Sequence, residues 1–166
     1  MVVHPKQLPT QDEAREAVDR LLVAVETGAH IVDAPNEMRS LHPKYNTFPG
    51  EVFIRLAANA LDEGGVSRKS PIAQERLVEE YLPEYQIRGR HNQKMRYALL
   101  AASATHAGVE VDLLEEVAYW GADDFWMYAA YAAVVWIRAV AGQRAIALPE
   151  LCGRLRSRSV DETAGH

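Results

Sequence analysis

The chain reads as all-α: a single compact helical bundle of about six to seven helices around a central apolar helix at about 124–141. Three observations predict this. Apolar residues recur at helical spacing in almost every segment, and Gly and Pro punctuate them. Thirteen residues, Phe125–Ile137 (FWMYAAYAAVVWI), run without a charge or an amide. No segment shows the strict alternation of a half-buried strand.

The first helix opens at Thr10-Gln-Asp-Glu13, a capping box in which Thr10 and Glu13 satisfy each other's free backbone donors. Ala14, Ala17, Val18, Leu21, Leu22 and Val25 then fall on one face, with Glu16 and Arg20 paired on the other. Gly28 ends it. Residues 29–48 are irregular, with room for a short helical turn around Asn36–Leu41. Pro49 is a favoured first helical residue for the second helix. Phe53, Leu56, Ala57, Ala60 and Leu61 line its buried face, and Gly64-Gly65 stops it.

Ser70-Pro71 starts a third helix that ends before Pro83. A fourth covers about 92–107, with Met95, Ala98, Leu99 and Ala102 inward and Gly108 as a left-handed cap. Asp112-Leu-Leu-Glu115 opens a short fifth helix that ends at Gly121. Asp123 or Asp124 caps the long sixth helix, which runs to about Ala141. It is apolar all round, the pattern of a helix at the centre of a bundle or between a bundle and a partner. Leu148, Leu151, Cys152 and Leu155 mark a last amphipathic helix. Residues 1–156 therefore read as one domain and 157–166 as a disordered tail.

The 166 residues are 48% hydrophobic and 25% charged, ordinary for a folded globular chain. The apolar run of thirteen is shorter than the roughly 20 residues that a bilayer requires. The one cysteine forms no internal disulfide, and MVVHPKQLPT lacks the pattern of a secretion signal. A cytoplasmic protein without membrane contact is expected.

Two charge runs stand out. Glu110, Asp112, Glu115, Glu116, Asp123 and Asp124 form an acidic block without Lys or Arg between them. Trp120, Trp126 and Tyr128 lie close by in sequence. Carboxylates among aromatics suit an organic cation, or a proton transfer by a carboxyl group held in apolar surroundings. Asp123, Asp124 and Glu116 are the candidate catalytic groups of such a pocket, and Trp120, Trp126 and Tyr128 its walls. The structural alternative is that the aspartates cap helices, where the dipole favours negative charge, while the glutamates face solvent.

The second run is basic. Arg88, Arg90, His91, Lys94 and Arg96 occur between 86 and 96 with no acid among them. Gly89 just ahead of a helix N-terminus suits an anion, and Arg88, Arg90 and His91 are the candidate ligands. The alternative is pairing with acids elsewhere, the acidic block included. Ala104, Gly108, Val109, Leu114 and Val117 also fit a degenerate helix-turn-helix over about 98–120. Its second helix would carry Asp112, Glu115 and Glu116 towards phosphates. With a net charge of −5, this argues against nucleic acid as the partner.

His30, Asp33, His42 and Tyr45 share the irregular segment without a ligand spacing. No Glu-x-x-His, His-x-x-x-His, phosphate-binding Gly-Lys-Ser/Thr loop or Gly-x-Ser-x-Gly elbow occurs, so no metal or cofactor is indicated. Cys152 falls on an apolar face and reads as core. A small interaction or regulatory protein that self-associates is the expectation. A carboxylate/aromatic ligand pocket near 116–128 is the alternative, and nucleic-acid binding through the basic run a further one.

Overall fold

A computed structural model describes residues 11–27, 48–66, 90–108 and 125–164. All secondary structure among them is helical: α1 (Gln11–Glu26), α2 (Phe48–Glu63), α3 (Arg90–His106), α4 (Phe125–Arg144) and α5 (Leu148–Ala164). The helices expected at about 71–82 and 112–121 lie outside the described residues, as do the caps at Thr10, Asp123 and Asp124.

α1 is amphipathic in the expected register. Ala17, Val18, Leu21, Leu22 and Val25 are buried, and Arg20 meets Glu16 at 3.3 Å on the exposed face. Its last turn closes on Thr27, whose hydroxyl donates to the Ala24 carbonyl at 3.1 Å. α2 starts one residue before Pro49, which sits in the first turn where the missing N–H is no loss. It ends in a Schellman motif. Gly65 takes a φ of 66°, its N–H bonds the Asp62 carbonyl at 3.0 Å, and Val66 N–H reaches back to Leu61 at 3.0 Å.

Gly64 serves a different purpose. A Cβ there would collide with Cγ1 of Val140 on α4, so the missing side chain lets the end of α2 lie close on α4. Gly108 ends α3 with a φ of 82°, as expected of a left-handed cap.

α2 and α4 each touch all four other helices and pack most extensively against each other. α3 covers one side of this pair. α1 and α5 cover another and pack together. α4 buries Tyr128, Ala129, Ala130, Ala132–Ile137 and Val140, with Trp136 and Ile137 fully enclosed. α2 is buried almost as completely. Beyond the expected residues it encloses Ile54, Ala58 and Asn59, leaving Arg55 outside. Ala129, Ala130, Ala132 and Ala133 of α4 are fully buried and allow neighbouring backbones to approach.

α4 ends later than expected, at Arg144. Ala145 takes the left-handed conformation with φ 53°. Ile146 N–H closes back on the Ala141 carbonyl at 3.0 Å. α5 then runs to Ala164, through residues where a disordered tail is expected from Ser157. Leu151, Cys152 and Leu155 are its buried edge.

Candidate functional site

Of the candidate catalytic and ligand-binding residues, Tyr128 is the one whose side chain is described. It is buried in the core cluster, and its ring tilts 57° against Tyr131 at a centroid distance of 6.3 Å. That geometry is an ordinary edge-inclined aromatic pair. The backbones of Trp126, Arg90 and His91 belong to α4 and α3, but their side chains lie outside the described residues. Asp123, Asp124, Glu116, Trp120 and Arg88 lie outside altogether, as do His30, Asp33, His42 and Tyr45. Among the described residues, no group of three or more His, Cys, Asp or Glu side chains is placed to hold a metal ion. No helix there is long and apolar enough to cross a membrane.

Two polar arrangements are built in full. The first joins α3 to α2 and α4. The Trp136 indole N–H donates to the Leu99 carbonyl at 3.2 Å, inside the core. One turn further along α3, Ser103 is fully buried, and its hydroxyl has no hydrogen-bond partner among the described residues. Next comes His106, also buried, with Nε2 at 2.9 Å from the Val66 carbonyl. A carbonyl accepts and does not donate, so Nε2 carries the proton. This bond ties the ends of α2 and α3 together.

Ser103 and His106 are a hydroxyl and an imidazole one turn apart. Both are enclosed, and His106 is engaged by a backbone carbonyl, so the pair serves packing and helix attachment. Ser103 falls where the helix-turn-helix reading of about 98–120 would call for an apolar residue. Its complete burial shows that the position is inward-facing. Gly108, the turn glycine of that reading, is described, and the expected second helix lies outside the described residues.

The second arrangement is electrostatic and was not legible as a motif. α1 ends on Glu26 and α2 on Asp62 and Glu63, with no base in either last turn. Carboxylates at these ends oppose the helix dipole, which favours cations there. α5 supplies the cations. Arg156 donates from Nε to Asp19 at 2.8 Å and from Nη1 to Glu26 at 2.5 Å. Arg158 Nη1 lies 2.5 Å from Asp62 and 3.5 Å from Glu63.

Residues two apart on a helix point about 200° from each other. α5 therefore lies astride α1 and α2, one arginine to each. The hydrogen bond to Glu26 chiefly, with Asp19, holds Arg156 above the ordinary arginine range against the opposing effect of burial. Arg154 pairs locally with Glu150 at 2.6 Å. The signal available in the sequence was the pair of helices ending on unbalanced acids. It calls for a cation from another element but does not say which.

Cys152 lies at the centre of the α5 contact and is fully buried. Burial first, and the charge of Glu26 second, push its thiol up to about 11 against a partial opposing pull from Arg156. A neutral, enclosed thiol is a packing group and not a nucleophile.

The described residues thus define a class, an all-α bundle with an apolar core and an arginine-acid seam. Comparison with protein-family models, curated proteins and solved structures gives no match for this chain.

Proposed function

We propose that this chain is a small cytoplasmic interaction or regulatory protein that self-associates, built as one domain of six to seven helices around the apolar helix at 124–141. The observation that carries the reading is the segregation of charge along the chain. Residues 86–96 hold four Lys or Arg and no acid, and residues 110–124 hold six acids and no Lys or Arg. Two copies related by a two-fold axis can set each run against the other's opposite, so that one contact is made twice.

Among the described residues, α1, α2 and α5 match acids and arginines within the bundle. The absence of a recognisable catalytic motif in the sequence fits an interaction role. Sedimentation across micromolar concentrations tests the reading. A dimer that dissociates as salt rises from about 0.05 to 0.5 M is expected, because exposed charges are screened within a Debye length. A monomer at every concentration and salt would overturn it.

A further inference from the structure

The link between α4 and α5 is short and strained. Three residues, 145–147, join the helices, and Ala145 holds a φ of 53°. A residue with a Cβ pays roughly an order of magnitude in equilibrium constant for that conformation. The bond from Ile146 N–H to the Ala141 carbonyl keeps the turn closed.

α5 also depends less on its chain neighbour than on the helices opposite. It packs more extensively against α1 and α2 than against α4. The described acids that hold Arg156 and Arg158 all lie on α1 and α2: Asp19, Glu26, Asp62 and Glu63. If Ala145 relaxes to an ordinary helical or extended conformation, α5 is carried off this seat. Leu151, Cys152 and Leu155 are then uncovered. The surface that matches both the apolar edge and the two arginines is the same seat on another copy.

We infer that α5 is exchanged between two copies of the chain, each α5 docking on α1 and α2 of the other. This rests on the reading that the chain self-associates, and it names the element that is traded. The closed monomer and the exchanged dimer share the α5 seat, so the hinge decides between them. Short strained hinges favour exchange. Dimerisation releases two strained turns and is opposed by the loss of independent motion, so it depends on concentration.

The test refolds the full chain from denaturant over a range of concentrations and reads mass by light scattering after gel filtration. A dimer whose share rises with the protein concentration at refolding, and which dissociates only slowly on dilution, is expected. Ala145→Gly relieves the closed turn and should weaken that dimer at least about tenfold. A second arm uses charge reversal. One variant carries Arg156→Glu and Arg158→Glu, the other Glu26→Arg and Asp62→Arg. Refolded together they should give a one-to-one heterodimer that neither gives alone, because each α5 then meets opposite charge in the other copy.

Co-refolding that yields no heterodimer, with a wild-type dimer unmoved by Ala145→Gly, would overturn the exchange and leave self-association standing through another face. A wild-type chain that stays monomeric throughout would overturn both.

Discussion

α4 and α5 follow each other in the chain, joined by three residues, and are held by different forces. α4 is enclosed over most of its circumference, and its described buried side chains from Tyr128 to Ala141 are all apolar or aromatic. α5 offers one apolar edge and fixes its lateral position with Arg156 and Arg158. Burial is non-directional and is not screened by salt, so it gives α4 stability with little positional information. Ion pairs contribute less energy but have direction. They set where α5 lies on α1 and α2.

The largest effect should come from emptying the core at Trp136. Trp136→Ala removes a fully buried indole and its bond to Leu99. A loss of about 3–5 kcal/mol is expected in urea denaturation, equal at low and high salt. Parental stability in that variant would show that α4 is not the core.

Next comes Cys152, where the two regimes meet. Its thiol ionises more readily in the unfolded chain than in the fold, where it is pushed from 9.0 up to about 11. The neutral form is favoured by folding, so its contribution is complete below pH 9 and is lost as pH rises through 11. A decline on the order of 2 kcal/mol across that window follows. Cys152→Ala should remove this part of the alkaline slope. In the folded parent the thiol should resist alkylation at pH 8, and react on unfolding.

Gly64 probes how closely α2 and α4 are set. Gly64→Ala places a Cβ against Val140, and overpacking of this kind costs about 1–3 kcal/mol. Val140→Ala in the same chain should recover part of that loss. A Gly64→Ala variant as stable as the parent would mean that the helices separate without cost.

The elements with a clean apolar stripe were legible in the sequence. On α1, Ala17, Val18, Leu21, Leu22 and Val25 are buried as their spacing implies, while Ala14 is half-exposed. α2 was legible on one face. Ile54, Ala58 and Asn59 escaped because a single-stripe pattern cannot reveal a helix covered from more than one side. Asn59 also looks like a solvent residue. The seam of α5 escaped for another reason. Arg156 and Asp19 are 137 residues apart, and no local pattern encodes such a pairing. The C-terminal residues continue no apolar stripe, so the sequence predicts a disordered tail from Ser157 where the helix runs on to Ala164. Of the candidate site, Tyr128 lies in the core, and its aromatic character marked burial as readily as binding.

The smallest effect isolates the seam itself. Arg156→Ala leaves Glu26 uncompensated at the end of α1, and Asp19 without its partner. Arg156 is 33% exposed and Glu26 24%, so water already screens the pair. A loss of about 1 kcal/mol at low salt is the expectation for a partly exposed arginine shared by two carboxylates. In 1 M NaCl the Debye length falls to about 3 Å, and most of that loss should vanish. Arg156→Lys should recover less than half of it, because an ammonium lacks the planar fork that reaches two acids at once. The readout is the difference in denaturation midpoint between the two salts. A loss that persists undiminished in 1 M NaCl would mean that the arginine stem holds α5 by packing, and the contrast with α4 would then be one of degree.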